Sequence, residues 1–462
     1  QSTYDWATES SNGYTYKYVK NDPFKTRFYT LKNGFTVIMG VNKAEPRLQT
    51  IIATKAGSNT DPANHTGLAH YLEHMLFKGT DKFGSLDWAK EKPCIDQIDQ
   101  LYEKYNSTTD EIARAAIYRT IDSVSGIAAK FAIANEYDKM MGNLGAKGTN
   151  AFTWYEQTAY VNDIPSNQIE RWLTVEAERF RSPVFRLFHT ELEAVYEEKN
   201  RSLDNDDWKT YEVLLANLFP THNYGQQTTI GTIEHLKNPS LLEIRKYFEK
   251  YYVPNNMCMI LAGDFDPDAV IKKVDEKFGF FVPKDVTPYN APKEADIITP
   301  IEKTVYGPKD EWVSIGYRFP GASSEEAKLL QVADRILANG TAGLLDINLN
   351  QNQKVLEAVS YAQTMKEYSV YELDGKPKEG QTLAEVKSLL LNEIENLKKG
   401  NFDEGLLQAV KNNFEKEKLQ KMELNINRAN NLLDGFIKEV SWKDELAFYE
   451  EVKQFTKSDI IA

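Results

Sequence analysis

The sequence has little cysteine, no long apolar run and no excess of positive charge, and each shortage excludes a class of protein. Its two cysteines, Cys94 and Cys258, lie far apart without a CxxC neighbour, so we predict neither a disulfide framework nor a cysteine-bound zinc. No eighteen consecutive apolar residues occur, so no membrane span is predicted. The formal net charge of −13 argues against a nucleic acid partner, because binding phosphate requires basic surface.

The length of the chain, 462 residues, is too great for one ordinary core, so two or more domains are expected. Near the start, Asn33-Gly34 separates two β-rich runs, 27–31 and 35–39, and this pattern predicts a hairpin. Residues 50–54 predict another strand. Apolar residues at helical spacing then predict a helix that begins near Gly67.

The next part of the chain mixes helical and β-rich patterns. Residues 86–130 predict a pair of helices, and the aromatic, threonine-rich segment 150–162 predicts one strand. Helices are predicted at 166–180 and 189–203, and a strand at 258–262. Strands and helices therefore both occur along this stretch, and we expect an α+β fold.

Two segments of the chain resemble each other. Residues 71–80 and 332–341 share their apolar pattern and a final Gly-Thr, while Arg335 stands where the first segment has His74. Each segment follows a predicted strand and a turn of small residues. We therefore expect two tandem copies of one mixed-sheet-plus-helices domain, with a helical insertion at about 86–130 after the helix that begins near Gly67 in the first copy.

Four prolines between residues 281 and 300 indicate a linker. We predict a first domain at 1–285, a linker at 286–300, and a second domain of the same fold at 301–462. The segment that ends at Ala462 follows a helical pattern without a stop signal, so the second domain is expected to be truncated at its C-terminus.

The segment His70-Tyr71-Leu72-Glu73-His74 is the strongest chemical signal. On a helix, His70 and His74 project from one face, where two imidazoles can bind one zinc ion. Glu73 lies on the same side, so its carboxylate can take a proton from a metal-bound water. The chain has six histidines, and chance would place two of them at this spacing around a glutamate on the order of one time in a hundred.

A third zinc ligand is expected, because catalytic zinc usually has three protein ligands and keeps one position for water. The acidic helix at 191–200 is the best source, since Glu191 and Glu198 are seven residues apart and share one face. The residues alone leave four candidates open: Glu191, Glu193, Glu197 and Glu198. A solvated helix face is the alternative interpretation for each of them.

The chain resembles the pitrilysin and insulysin family of zinc metallopeptidases, which includes the mitochondrial processing peptidases. His-x-x-Glu-His on a helix is the inverted zinc motif of that family. The resemblance also rests on residues 67–80, 150–153, 191–198, 252–256 and 263–266. It covers essentially the whole chain and is strongest in residues 27–270.

The resemblance implies one Zn²⁺ per chain, held by His70, His74 and Glu198, with Glu73 as the general base. The domain at 1–285 is then expected to be the zinc-binding catalytic domain, and the domain at 301–462 is expected to have no metal ligands. Glu191 is then a carboxylate that supports a ligand histidine.

The resemblance further implies that Asn150, Ala151 and Phe152 lie on an edge strand that binds the peptide substrate as an added β-strand. Plain strand packing is the alternative for the aromatic residues Phe152, Trp154 and Tyr155. The helical pair at 86–130 is expected to border the substrate chamber.

The implied function is that of a zinc-dependent endopeptidase that hydrolyses unfolded or short peptides with a metal-activated water. Family members close two halves around the peptide, and the second half supplies an arginine and a tyrosine for which we identify no position here. The chain therefore resembles the N-terminal half of a longer bacterial member. Its expected partner is the C-terminal half of the same protein or a partner subunit.

Two other functions stay open: a non-catalytic or partner-dependent peptide-binding or processing subunit, and a metal-binding module without a hydrolase role. Glu73 argues against the second, because a structural zinc site has no use for a free carboxylate. A start at Gln1 without Met favours a periplasmic or cell-surface/secreted location.

Overall fold

The computed structural model describes residues 3–462, in which the strands form two sheets. The strands are β1 (Trp6–Ser11), β2 (Tyr14–Val19), β3 (Arg27–Thr30), β4 (Thr36–Val41), β5 (Arg47–Thr54), β6 (Lys147–Thr153), β7 (Thr158–Pro165), β8 (Met257–Gly263), β9 (Val313–Pro320), β10 (Glu357–Thr364) and β11 (Tyr368–Lys376). The larger sheet has the order β1-β2-β3-β4-β8-β5-β7-β6, and the smaller has the order β10-β11-β9. The pair β4–β8 is parallel and the others are antiparallel, so the larger sheet is mixed.

Helices make up most of the remaining regular structure. They are α1 (Leu68–Met75), α2 (Trp88–Ser107), α3 (Glu111–Ala129), α4 (Glu136–Leu144), α5 (Ile169–Arg181), α6 (Phe188–Leu203), α7 (Asp206–Leu218), α8 (Asn223–Gln226), α9 (Ile233–Lys237), α10 (Leu241–Tyr251), α11 (Pro267–Phe278), α12 (Glu325–Leu337), α13 (Leu383–Lys398), α14 (Glu404–Glu423), α15 (Asn425–Lys438), α16 (Trp442–Gln454) and α17 (Lys457–Ile461). Within residues 3–462, none of these helices has the length and apolarity that a membrane span requires.

The predicted mixture of a mixed sheet and many helices is confirmed. The tandem repeat and the domain bounds 1–285, 286–300 and 301–462 stay predictions. The structure has neither helix nor strand between Phe278 and Val313, a stretch that includes the predicted linker.

The predicted N-terminal hairpin is present as β3 and β4, with Arg27 opposite Met39. Gly34 lies in the turn with a φ of +84°. A side chain would be strained in this left-handed conformation, and a Cβ at Gly34 would also come within 2.8 Å of the Asn255 Cβ. The Asn-Gly signal therefore reflects a real steric requirement.

The prediction of one strand at 150–162 is wrong. The structure has two antiparallel strands there, β6 and β7, joined by a turn at 154–157 in which the Trp154 amide donates to the Gln157 carbonyl. The turn contains neither glycine nor proline, so the β-rich composition continues through it without a break. Because no residue typical of turns is present, the sequence does not indicate that the chain reverses direction here.

The two faces of the larger sheet carry different helices. Ile52 packs in the core that contains Leu72 of α1, whereas the adjacent Ile51 packs in the core that contains Leu432 and Leu433 of α15. Neighbouring strand residues point to opposite faces, so β5 contributes to both cores. The C-terminal helices thus pack on one face of the larger sheet, and α1 packs on the opposite face.

The pair α2–α3 matches the predicted helices at 86–130, and α4 is an additional helix that was not predicted. A buried ion pair ties this region to the loop after α1. The Arg186 guanidinium donates to both carboxylate oxygens of Glu91 on α2, at 2.9 and 3.1 Å, and to the carbonyls of Lys78 and Thr80. Both charged side chains are at most 1% exposed.

We expect Arg186→Leu to lower the free energy of unfolding by about 3–5 kcal/mol, because it leaves the Glu91 carboxylate buried without its partner. Urea denaturation measures this loss. The double variant Arg186→Leu/Glu91→Leu is expected to be more stable than the single variant, since it removes the unpaired charge. A double variant as unstable as Arg186→Leu would contradict this account.

Candidate metal centre

The start of α1 is held tightly in place. Gly67 precedes the helix with a φ of +83°, and a Cβ there would lie 2.5 Å from the Ile230 carbonyl oxygen. The buried Asp61 carboxylate accepts hydrogen bonds from the backbone amides of Gly67 and Ala69, at 2.8 and 2.9 Å. Burial raises the pKa of Asp61 to about 8 in spite of these bonds. The helix therefore begins at one defined position.

The first turns of α1 and the middle of α6 bring three side chains together. The His70 and His74 Nε2 atoms are 3.3 Å apart, and the Glu198 Oε2 lies 3.8 Å from the first and 3.7 Å from the second. Four-coordinate zinc with bonds of roughly 2.0–2.1 Å places its ligand atoms about 3.3 Å from one another. The three donor atoms fit this ion with only small adjustments.

Of the four glutamates that the sequence leaves open, the structure brings Glu198 to this group. In the described residues 3–462, His70, His74 and Glu198 are the one set of three metal-binding side chains whose donor atoms lie within 4.8 Å of one another. Burial and the nearby His74 lower the pKa of His70 to about 3. A neutral imidazole is the form that binds metal.

Glu191 lies behind His74, seven residues before Glu198 on α6. Its carboxylate is 3.3 Å from the His74 Nδ1 and also contacts the Lys78 ammonium. A carboxylate can only accept a hydrogen bond, so Nδ1 donates and the lone pair of His74 is left on Nε2, toward the candidate ligands. Burial would raise the pKa of Glu191, but the hydrogen bonds from His74 and Lys78 outweigh it and lower the pKa.

Glu73 is 8% exposed and faces β6. The Thr153 hydroxyl donates to its Oε2 at 2.7 Å. Burial raises the pKa of Glu73, and the Thr153 hydrogen bond partly opposes that rise. The site therefore contains a carboxyl group whose pKa lies above the ordinary value, as a base working near neutral pH requires.

The sequence did not predict the roles of Thr153 and Lys78. Thr153 ends the segment 150–153 on which the family resemblance partly rests, so a signal was present without a function attached to it. Lys78 lies beyond the last residue of α1, and helical spacing could not relate it to Glu191.

A cleft of about 680 Å³ opens beside these residues. Asn150, Ala151 and Phe152 line it from β6, which is the outermost strand of the larger sheet. Ala151 packs in the same core as α1, whereas Phe152 packs partly on the opposite face, so packing accounts for part of its role.

Residues 86–130 do not line this cleft, and their expected place at the border of the substrate chamber stays a prediction. The lining residues of the cleft include none from α2 or α3, and the nearby helix α4 contributes instead, with Asp138 and the preceding Asn135. Other lining side chains are Phe77, Lys78, Thr149, Trp154, Ser202, Trp208, Thr229 and Ile230.

Comparison with protein families decides the affiliation of the chain. Residues 37–110 match the family described as Insulinase (Peptidase family M16), and residues 240–414 match the Peptidase M16 inactive domain. The chain belongs to peptidase family M16. The resemblance to pitrilysin and insulysin is thereby confirmed, and the first of the two matches contains the whole of α1.

Named relatives of this M16 chain include zinc proteases. It is 23% identical over 409 residues to the zinc protease PqqE of Helicobacter pylori, covering 85% of this chain and 79% of the relative. It is 26% identical to the insulin-degrading enzyme of Drosophila melanogaster, covering 62% of this chain and 24% of that enzyme. The chain thus matches most of the first relative but about a quarter of the second.

Solved structures share the fold of this M16 chain. A protease from Helicobacter pylori superimposes with a TM-score of 0.76 and 20% identity, with 95% of each chain covered. The periplasmic protease PqqL of Escherichia coli gives a TM-score of 0.66 and 16% identity, covering 95% of this chain and 45% of PqqL. Pitrilysin gives 0.65 and 16%, covering 99% of this chain and 46% of pitrilysin.

We expect Glu191→Gln to weaken zinc binding by about ten- to a hundredfold, because a carboxylate behind a ligand histidine orients it and raises its basicity. Competition against a chelator measures the zinc dissociation constant. Glu193→Gln is the matched control, since Glu193 lies on the same helix and is exposed. Equal zinc affinity in both variants would mean that Glu191 does not support His74.

Proposed function

We propose that this chain is a zinc-dependent endopeptidase, in which His70, His74 and Glu198 hold the ion and Glu73 acts as the general base. One observation carries the proposal. Three candidate zinc ligands meet at distances of 3.3–3.8 Å beside a buried glutamate with a raised pKa, in a cleft that an edge strand borders. A purely structural zinc site would fill its fourth position with a protein ligand and would have no use for Glu73.

Each residue of the site has a separate role in the proposed reaction. A bound zinc ion supplies Lewis acidity toward a water molecule and the substrate carbonyl. The Glu73 carboxylate takes a proton from the attacking water and returns it to the leaving nitrogen. The Thr153 hydroxyl holds one Glu73 oxygen and leaves the other free for that transfer. Glu191 keeps the His74 ring turned toward the metal position.

The substrate is an unfolded or short peptide. β6 is paired with β7 on one side only, so the backbone of residues 150–152 can pair with an added strand on the other. Strand addition needs an extended peptide whose backbone groups are not already paired. Asn150, Ala151 and Phe152 are therefore proposed as substrate-binding residues.

A second candidate is a peptide-binding or processing subunit that needs a partner for activity, or has none. The match of residues 240–414 to a domain described as inactive favours it, as does coverage of less than half of PqqL and pitrilysin. In this case the partner is a C-terminal half or a separate subunit. PqqL is a periplasmic protease, and its similarity to this chain supports a periplasmic or cell-surface/secreted location.

Metal content and peptide cleavage together test the proposal. We expect about one zinc per chain by elemental analysis, lost in His74→Ala and Glu198→Gln because each removes a ligand. Glu73→Gln is expected to keep the zinc and to lose about a hundredfold or more in cleavage rate, because only the base is removed.

Loss of zinc binding and loss of cleavage would lead to different conclusions. Absence of zinc in the parent chain after reconstitution would overturn the proposal. Zinc without cleavage of any unfolded peptide would favour the partner-dependent subunit.

The pH dependence of cleavage tests the contact of Thr153 with Glu73. The hydroxyl stabilises the charged carboxylate, so its removal in Thr153→Val is expected to raise the pKa of Glu73 further. The base would then be protonated at higher pH, and the acid limb of kcat/KM should move to higher pH. Thr149→Val is the control, because that hydroxyl donates to Asn162 instead. An unmoved acid limb would show that Thr153 does not tune Glu73.

A further inference from the structure

The turn that follows the substrate strand is held by the second sheet. This first hairpin turn (154–157) joins β6 to β7, and a second hairpin turn (365–367) joins β10 to β11. The two turns meet through Glu156. Its carboxylate accepts a hydrogen bond from the Lys366 backbone amide at 3.2 Å and another from the Tyr224 hydroxyl. The Glu367 amide donates to the same hydroxyl at 3.2 Å, which closes the network.

The surroundings of this carboxylate are apolar. Tyr155, Tyr224, Met365 and Val370 belong to one buried cluster between the two sheets. Burial raises the pKa of Glu156. A carboxyl group in such a place is costly unless donors satisfy it, and both of its oxygens have one here. Because these donors belong to Tyr224 and to the second hairpin turn, the carboxylate joins the first hairpin turn to both and fixes its position.

The opposite side of the first hairpin turn is held as firmly. The amides of Ser58 and Asn59 donate to the carbonyls of Trp154 and Tyr155, at 3.1 and 2.9 Å. A Cβ on Gly57 would lie 2.0 Å from the Trp154 oxygen, so the two backbones touch. The turn is thus clamped between the loop before α1 and the second sheet.

We propose that Glu156 is a positioning residue, through which the second sheet fixes β6 and the hydroxyl of Thr153 against Glu73. Thr153 is the last residue of β6 and lies next to the turn, so a displaced turn moves the hydroxyl directly. This inference rests on the proposed function of β6 and Glu73. The second sheet lies in the region matched to an inactive domain. In this proposal it keeps β6, the strand that binds the substrate, in register.

Two variants with one matched control test this role. Glu156→Ala and Tyr224→Phe each break the network, and Tyr211→Phe removes a hydroxyl whose hydrogen bond joins α7 to Gln363 of the second sheet rather than to Glu156. Hydrogen–deuterium exchange of residues 147–157 is the primary measurement. We expect exchange about tenfold faster in the first two variants and unchanged in Tyr211→Phe, with zinc content equal to that of the parent.

Peptide cleavage supplies the second measurement. kcat/KM is expected to fall about tenfold or more in Glu156→Ala, because small misplacements of reacting groups are costly, and to recover partly in Glu156→Gln, which keeps an acceptor. Unchanged exchange in Glu156→Ala, or an equal change in Tyr211→Phe, would overturn the proposal. Hydrogen–deuterium exchange can be measured whether or not the chain is active. A parent chain that binds zinc but cleaves no peptide would therefore contradict the proposed function, while the exchange measurement would still test the role of Glu156.

Discussion

The hydrogen bonds from the first amides of α1 to the Asp61 carboxylate are the constraint on which the site depends. They fix where the helix begins, and the close approach of Gly67 to the Ile230 carbonyl fixes how near it lies to the neighbouring loop. The direction of His70 and His74 follows from that start, because a helix that began one residue later would turn each side chain by about 100°. The candidate ligand set therefore depends on a carboxylate that is not one of its members.

The second requirement is that elements distant in sequence converge on this short helix. α6 provides Glu191 and Glu198, β6 provides Thr153, and the second sheet holds the turn beyond β6. Each contact sets the orientation of a side chain or a backbone segment, and together they leave one side of the cleft open. The geometry is therefore a property of the whole chain rather than of the motif in α1.

Local signals made part of this arrangement predictable. The spacing of His70 and His74, the Asn33-Gly34 turn and the seven-residue spacing of Glu191 and Glu198 all depend on short-range geometry, which a sequence displays. The contacts of Thr153, Lys78 and Glu156 depend on long-range packing and have no periodicity to reveal them. The turn at 154–157 was missed because tertiary hydrogen bonds, rather than glycine or proline, hold it in place.

The parallel pairing of β4 with β8 has a consequence for when the candidate ligands come together. The strand at the centre of the larger sheet, residues 257–263, is synthesised long after its neighbours β4 and β5, and after all the candidate ligands. Until it is inserted, β5 lacks its central partner and α1 has no completed surface on which to pack. Closing such a long chain segment is slow. The candidate ligands on α1 and α6 are therefore fixed beside one another only after β8 is in place, so the proposed zinc site is completed late in folding.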